Sequence, residues 1–314
     1  KNENYYDLSR VSDIKAQFKE AKINNIYGFC FYHYWFSGKL LLERPAELLL
    51  KNKEIDGNFC FSWANETWAR TWNGQDKNVL IKQGYGDRED WIKHINYLMD
   101  FFKDDRYIKI DNKPVLLIYN SHKIEKLDKM LSVWNVELKK NNMETICFID
   151  TLNSFNHKQH KQATFSVNFE PWYTITKDFK LRIYLRIKKS IRIFLMIFVD
   201  YDKLPKFLVS TVNYDYLYKK IIARKDLKST FLGLFPDWDN SPRKAKTGHS
   251  TIIDKSTPEK FSKYNKILRK KILENDLEKF IFINAWNEWG ESAYLEGDEK
   301  YGSKYLEAIR NSEK

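Results

Sequence analysis

Two glutamates near the C-terminus, Glu288 and Glu291, have the residue type and the spacing of a carboxylate pair that acts on sugars. They follow an apolar, strand-like run and lie among Trp286, Asn287 and Trp289. Paired carboxyl groups supply the acid, base or nucleophile of glycosidic bond chemistry, and indole rings stack on the faces of pyranose rings. A capped turn between a strand and a helix is the alternative, but such a turn has no use for two indoles. The segment therefore indicates a site where a glycosidic bond is cleaved or formed.

Similar mixtures of aromatic and polar side chains follow other apolar runs of the chain. Asn65 and Glu66 suit paired hydrogen bonds to vicinal hydroxyl groups, and Asp239 and Glu66 are the next candidate carboxylates. His33 has no Ser or Cys partner for a nucleophilic triad, so a substrate contact competes with a structural role. The predicted substrate-binding residues are Tyr32, His33, Tyr34, Trp35, Trp63, Asn65, Glu66, Trp68, Tyr119, Asp150, Glu170, Trp238, Asp239, Trp286, Asn287 and Trp289.

Composition and motifs argue against several other classes of protein. The formal charge of +12 is spread along the 314 residues, and the sequence has neither a nucleic-acid recognition module nor a glycine loop for phosphate. The histidines are dispersed without the spacing of metal ligands, so we predict no metal and no cofactor. Three cysteines lie in apolar runs and are predicted as buried free thiols, which is typical of a reducing cytoplasm.

Short apolar runs alternate with amphipathic helical patterns, which favours a parallel sheet covered on both faces. An open doubly wound sheet and a (β/α)8 barrel both fit this alternation. Aromatic and polar residues follow every predicted strand, as at the catalytic face of a barrel, whereas a doubly wound sheet concentrates them at one switch point. The predicted strands are Ile26–Phe31, Asn58–Trp63, Pro114–Tyr119, Thr145–Asp150, Ala163–Val167, Thr230–Phe235 and Phe280–Asn284.

We therefore predict an α/β fold of the (β/α)8 TIM-like barrel type, forming a single glycan-active domain over residues 1–314. Only seven strands are predicted, and the residues before the first predicted helix read as a loop. The expectation is a barrel that lacks its N-terminal first strand, because of an N-terminal truncation.

One basic insertion near 175–212 interrupts the alternation. Residues 177–199 carry seven basic residues and one acid, with Ile183, Ile187, Ile191 and Phe194 on one side of a helical wheel. This pattern is typical of an interfacial helix attracted to anionic lipid headgroups, and equally of a helix packed on the barrel with a solvated basic face. An alternation of apolar residues from 181 to 187 also permits a strand.

Four motifs, at residues 28–36, 61–68, 235–240 and 284–291, together resemble the WbsX-type glycosyltransferase family, which is grouped with glycoside hydrolase family 99-like barrels. The resemblance covers nearly the whole chain in the same order. It implies a (β/α)8 barrel. Members of this family occur in gene clusters for O-antigen and other bacterial surface polysaccharides. The related hydrolases are retaining endo-α-mannosidases.

The resemblance also implies roles for the glutamate pair. Glu291 resembles the acid/base residue, and Glu288 resembles the carboxylate that assists attack by the 2-hydroxyl of the sugar, giving retention through an anhydro-sugar. Ser292 stands where the family pattern usually has Gly. The region upstream, where the family supplies its first strand, is absent from this sequence.

These observations favour an enzyme that transfers a sugar with retention in the biosynthesis of O-antigen, lipopolysaccharide or capsule. Its substrate would be an oligosaccharide or polysaccharide, either free or linked to a lipid. The expected location is the cytoplasm, and residues 177–199 also permit peripheral contact with the inner face of the cell membrane. An endo-acting retaining hydrolase or transglycosylase is the first alternative, and a non-catalytic or inactive truncated barrel is the second.

Overall fold

The computed structural model describes residues 5–70, 75–200, 203–225, 229–244, 250–274 and 280–312. The chain forms two compact units. The first unit contains the residues up to 67 together with 82–151 and 159–166, and the second contains 68–81, 152–158 and the residues from 167 onward. A single domain over residues 1–314 stays a prediction.

Strands and helices alternate along the chain. The strands are β1 (Gly28–Phe36), β2 (Lys39–Leu41), β3 (Asn58–Trp63), β4 (Trp68–Arg70), β5 (Gln75–Ile81), β6 (Lys109–Ile110), β7 (Lys113–Ile118), β8 (Cys147–Leu152), β9 (Phe165–Asn168), β10 (Thr211–Asn213), β11 (Thr230–Leu234), β12 (Ile252–Asp254), β13 (Ile281–Ile283), β14 (Asn287–Glu288) and β15 (Ala293–Tyr294). The helices are α1 (Val11–Ile23), α2 (Arg44–Lys51), α3 (Arg88–Phe102), α4 (Leu127–Lys140), α5 (Trp172–Lys177), α6 (Phe179–Leu195), α7 (Tyr214–Ile222), α8 (Ser241–Lys244), α9 (Pro258–Glu274) and α10 (Lys304–Arg310).

The first unit is built on a mainly parallel sheet. Its strands lie in the order β2-β1-β3-β7-β8, with β6 beside β7. The pairs β1–β3, β3–β7 and β7–β8 are parallel, whereas β2 and β6 are short antiparallel additions. Every residue of β8 is buried. A parallel strand covered on both faces is apolar throughout, which explains the continuous apolar runs in the sequence.

Helix α3 covers this sheet and begins at a well-defined cap. The Asp87 carboxylate accepts hydrogen bonds from the backbone N–H groups of Glu89 (3.0 Å) and Asp90 (3.2 Å). These bonds satisfy two amide groups that have no partner within the helix, a contribution of about 1 kcal/mol. The buried face of α3 includes Trp91, His94, Ile95, Leu98, Met99 and Phe102.

The second unit contains the parallel pairs β11–β13 and β10–β12. An aromatic stack fixes the end of β11, because the Tyr218 ring lies 4.6 Å from that of Tyr264 and 5.0 Å from that of Phe235. The Tyr218 hydroxyl also donates to the Phe235 carbonyl at 2.7 Å. A Cβ at Gly233 would lie 2.1 Å from the Asn168 carbonyl oxygen, so only glycine fits this position of β11.

The mixed α/β class with a mainly parallel sheet is confirmed, and each of the predicted strands is present. A closed eight-stranded barrel stays a prediction.

The prediction that all three cysteines are buried is wrong for Cys30, which is exposed, while Cys60 and Cys147 are buried free thiols. Cys30 lies in β1 on the same side as Tyr32, because side chains alternate between the faces of a strand.

The basic segment is helical, which settles the choice between helix and strand. Residues 172–177 form α5 and residues 179–195 form α6. Residues 201 and 202 of the predicted insertion lie outside the described residues. Within the described part of the chain, no helix combines the length and the apolar character needed to cross a membrane.

Candidate active site

The two glutamates lie on one short turn that follows β13. Glu288 ends β14, and residues 289–291 form a single turn of 3₁₀ helix before β15 begins at Ala293. Since a 3₁₀ helix has about three residues per turn, side chains three positions apart project on the same side. Ser292 ends the turn with a left-handed backbone (φ 54°), a conformation that glycine adopts at no steric cost.

Arg243 contacts both carboxylates. Its Nη2 lies 3.2 Å from Oε1 of Glu288, and its Nη1 lies 3.4 Å from Oε1 of Glu291. The three side chains are about one fifth to one third exposed, so the cluster is open to a ligand. A Cβ at Gly290 would lie 2.7 Å from Nε of Arg243, so glycine permits this close approach. One guanidinium thus connects the two predicted catalytic residues.

The loop after β11 is tied to the glutamate turn through its backbone. The N–H of Asp239 donates to the Glu291 carbonyl at 2.8 Å, and the Asp239 carboxylate accepts from the Ser241 N–H at 2.8 Å. Burial raises the pKa of the nearby Asp237 carboxyl, and the negative charge of Asp239 raises it further. Acidic groups that favour the protonated form are a feature of sites that perform acid catalysis.

The tryptophans of the glutamate segment differ in their surroundings. The Trp289 ring stacks on Tyr294, with centroids 3.8 Å apart, and its Nε1 donates to Glu296 Oε2 at 2.6 Å. Trp286 and Trp289 are half-buried, and Asn287 is exposed. Trp238 is buried and packs edge-on against Trp172 at 5.7 Å. Trp286 and Trp289 are thus partly accessible to a ligand, whereas Trp238 is buried and packs within the loop that follows β11.

A second group of predicted contacts lies in the first unit, at the carboxyl ends of β1, β3 and β7. The Tyr32 ring lies 6.3 Å from that of Tyr34 and 6.4 Å from that of Tyr119. Glu66 is exposed, accepts a hydrogen bond from Asn120 Nδ2 at 2.9 Å and lies 3.8 Å from the Lys123 ammonium. These side chains form an aromatic and polar surface suited to sugar hydroxyls and ring faces.

Strand alternation separates the predicted contacts of β1 into two sets. Tyr32 and Tyr34 lie on one face, and His33 and Trp35 lie buried on the other. The Trp35 ring stacks on His94 with centroids 4.5 Å apart, and the Nε2 atoms of His33 and His94 are 2.8 Å apart. Burial lowers the pKa of His33 to about 3 and that of His94 well below its usual value. This pair is neutral and packs between the strand and α3.

Four more of the predicted contacts are buried, and their polar atoms bond within the protein. The Asn65 side chain exchanges hydrogen bonds with the Asn120 backbone at 2.8 and 3.0 Å, so it links the ends of β3 and β7. Asp150 accepts from the His160 N–H at 2.8 Å, and Glu170 forms an ion pair with Arg224 at 3.0 Å. The Trp63 indole donates to the Trp35 carbonyl at 3.3 Å.

Trp68 lies half-buried in β4 of the second unit. Among the described residues, His, Cys, Asp and Glu side chains form no cluster that could hold a metal ion.

Sequence reasoning missed Arg243, which lies 45 positions before Glu288 and 48 positions before Glu291. The sequence signal that could have indicated Arg243 is its position four residues after Asp239, in a segment that follows an apolar strand.

The chain belongs to the WbsX glycosyltransferase family, whose model matches residues 1–309. An uncharacterised protein, WxcX, from Xanthomonas campestris pv. campestris is 28% identical over 313 residues. The match covers 98% of this chain and 42% of that protein, so the chain spans less than half the length of this relative. The same protein of a second strain matches equally well.

Two solved structures have a similar fold. A glycoside hydrolase-like protein superposes with a TM-score of 0.58 at 9% identity, over 98% of this chain and 87% of the other. The family 99 endo-α-mannosidase from Bacteroides thetaiotaomicron superposes with a TM-score of 0.56 at 12% identity, over 98% of this chain and 80% of the other. At these identities the likeness concerns the fold.

Proposed function

We propose that the protein is a glycan-active enzyme with a (β/α)8-type barrel, which transfers a sugar with retention in the biosynthesis of a bacterial surface polysaccharide. The observation that carries this proposal is the turn on which Glu288 and Glu291 lie together, connected by Arg243. Family membership supports transfer chemistry, and the half-buried Trp286 and Trp289 support a carbohydrate substrate.

In the proposed reaction, Glu288 accepts the proton of the donor sugar's 2-hydroxyl while that oxygen attacks the anomeric carbon. Glu291 donates a proton to the departing oxygen, and an anhydro-sugar results. An acceptor hydroxyl then attacks the anomeric carbon, Glu291 accepts its proton, and Glu288 returns a proton to the 2-oxygen. Two inversions at one carbon give net retention.

Arg243 positions both carboxylates for this reaction. Its Nη2 lies 3.2 Å from Oε1 of Glu288 and its Nη1 lies 3.4 Å from Oε1 of Glu291, so one guanidinium orients the two side chains. We expect the donor sugar to displace Arg243 from Glu291, because the contact with Arg243 occupies an oxygen of the group that must reach the leaving oxygen.

The acceptor in this proposal is an oligosaccharide, in its lipid-linked form during assembly at the inner face of the cell membrane. The free thiols of Cys60 and Cys147 fit a reducing cytoplasm. The polar and aromatic surface around Tyr32, Tyr119 and Glu66 is proposed as a sugar-binding surface of the first unit.

A direct test is to incubate the chain with nucleotide-sugars and a lipid-linked acceptor, and in parallel with polysaccharide alone. Product that forms only with the donor supports transfer. The variants Glu291→Gln and Glu288→Gln should each lose about 10²- to 10⁴-fold in rate, because each removes a proton-transfer group. Glu274→Gln, at an exposed position of α9, is the control.

The likeness to an endo-α-mannosidase favours a second candidate, an endo-acting retaining hydrolase or transglycosylase. Release of oligosaccharides from polysaccharide without any donor would replace the transferase proposal with this one. Full activity of the Glu291→Gln variant would remove the catalytic assignment. Binding of glycan by a folded chain without turnover of donor or polysaccharide would leave the non-catalytic alternative.

A further inference from the structure

Helix α6 presents a strip of large apolar side chains to solvent. Phe179 is 64% exposed, Ile183 40%, Ile187 55% and Phe194 60%. Exposed apolar residues continue beyond the helix through residues 197–199. Contiguous exposed apolar surface on a folded protein marks a contact with a partner or a membrane.

The opposite side of α6 is anchored in the second unit. Leu181 and Arg192 are buried, and Nη1 of Arg192 lies 3.3 Å from the Ser250 carbonyl oxygen. At about 100° per residue, this anchored side lies across the helix from the line of Ile183, Ile187 and Phe194. Arg192 therefore does not contribute to a solvated basic face, since it is buried and its charge faces the protein.

The start of α6 is fixed as well. The Asp178 carboxylate caps the helix by accepting from the Leu181 N–H at 2.9 Å. It also pairs with the Lys220 ammonium at 2.9 Å and accepts from the Tyr216 hydroxyl at 2.8 Å. The orientation of the helix on its unit, and hence the outward direction of the apolar strip, follows from these contacts.

Cations border the apolar strip. Lys180 lies on one side of it on the helical wheel, and Arg182 and Arg186 lie on the other. The one acid of residues 177–199, Asp178, is neutralised by Lys220. An apolar strip flanked by cations matches the boundary between acyl chains and anionic headgroups. A second copy of the strip would instead bring like charges together, which is unfavourable.

We propose that the outer surface of α6, with residues 197–199, docks the protein on an anionic lipid bilayer. The helix lies in the plane of the interface, with Ile187 and Phe194 in the acyl boundary and Lys180 and Arg186 at the headgroups. This docking is peripheral and goes beyond the proposed transfer chemistry, on which it does not depend.

Flotation of the chain with phosphatidylglycerol vesicles, and with phosphatidylcholine vesicles, tests the apolar part of the proposal. The double variant Ile187→Asp and Phe194→Asp should lower affinity for phosphatidylglycerol by at least about tenfold per substitution, because each removes a side chain from the acyl boundary. The control is Val136→Asp with Leu273→Asp, which changes two exposed apolar residues of α4 and α9. It should leave vesicle binding unchanged.

The charged part is tested with Lys180→Glu and Arg186→Glu, against Lys129→Glu and Lys266→Glu at exposed positions of α4 and α9. Each substitution in α6 should weaken binding to phosphatidylglycerol by at least about fivefold, with less effect at high salt. Circular dichroism melting establishes that every variant is folded.

Three results would overturn the proposal. The first is a chain that does not float with either vesicle, and the second is equal affinity for phosphatidylcholine and phosphatidylglycerol. The third is a dimer in sedimentation experiments that the Ile187→Asp and Phe194→Asp substitutions dissociate, because the strip would then be covered by a second copy.

Discussion

Arg243 Nη1 lies 3.4 Å from Oε1 of Glu291, in an ion pair that joins the short helix α8, which follows β11, to the turn after β13. The backbone contact between the Asp239 N–H and the Glu291 carbonyl makes the same connection at 2.8 Å. The proposed acid/base residue is therefore positioned by a side chain from a different strand-loop element.

Replacing Arg243 with Gln should reduce catalytic rate more than stability. Loss of the guanidinium leaves both glutamates without their shared positioning contact, and misplacement of a catalytic group costs on the order of 10²-fold in rate. The free energy of unfolding should change by only about 1 kcal/mol, because the ion pairs are partly exposed. Steady-state kinetics and denaturant unfolding measure the two effects. Arg310→Gln, at an exposed position of α10, is the control, and an equal loss of activity there would contradict the positioning role.

Gly290→Ala should also impair activity. The added Cβ would lie 2.7 Å from Arg243 Nε and would push the guanidinium away from the glutamates. We expect a decrease in rate of about tenfold to 10²-fold, from misalignment of the pair. Gly297→Ala is the matched control, since its Cβ would meet no atom closer than 3.5 Å. If both variants retain full rate, the close approach of Arg243 to Gly290 is irrelevant to catalysis.

Asp104→Asn should destabilise the first unit by about 3–5 kcal/mol, the usual cost of breaking a buried ion pair. Asp104 is 2% exposed and accepts from Arg106 Nη2 at 2.8 Å and from Lys53 at 2.5 Å. The substitution removes the charge opposite a largely buried Arg106. Asp105→Asn, at the exposed neighbouring position, should change stability by less than about 0.5 kcal/mol. Urea unfolding compares the two variants.

The same carboxylate should make stability fall in acid. Burial alone would raise the pKa of Asp104, but hydrogen bonds from Arg106 and Lys53 hold it below its ordinary value of 3.8. Since the folded-state pKa is depressed, the stabilisation is present above pH 3.8 and is lost as the pH falls through the lower folded-state value. The Asp104→Asn variant should lack this part of the acid dependence.

The buried His33 and His94 pair should cause a loss of stability at milder pH. The folded-state pKa of His33 is lowered from 6.5 to about 3, so between these values the unfolded chain binds a proton that the folded chain does not. Stability is therefore complete above pH 6.5 and decreases as the pH falls toward about 3, by about 1.4 kcal/mol per pH unit for each such histidine. The Tm of a His94→Gln variant, measured from pH 7 to pH 5, should depend less steeply on pH. A parallel slope would contradict the assignment.

Sequence patterns were sufficient for the elements and for the central motif. Apolar runs predicted seven of the strands, because strands covered on both faces leave no position for polar side chains; these are β1, β3, β7, β8, β9, β11 and β13. Strand β5 and the short strands were not predicted. The spacing of Glu288 and Glu291 indicated a carboxylate pair, and the 3₁₀ turn of residues 289–291 places both on the same side, since side chains three positions apart project alike in such a turn. Alternation within β1 could also have separated Tyr32 from His33, had the strand been extended from residue 31 to Phe36.

The sequence alone determined the α/β class, the order of the strands along the chain, and a pair of carboxylates spaced three residues apart after an apolar strand. These follow from periodicity and from contacts between near neighbours. Only the tertiary structure decided that Arg243 reaches both glutamates, that His33 faces His94, and that the apolar strip of α6 points outward. Each of these depends on packing between segments far apart in the chain, and a helical wheel does not specify which of its faces meets the protein.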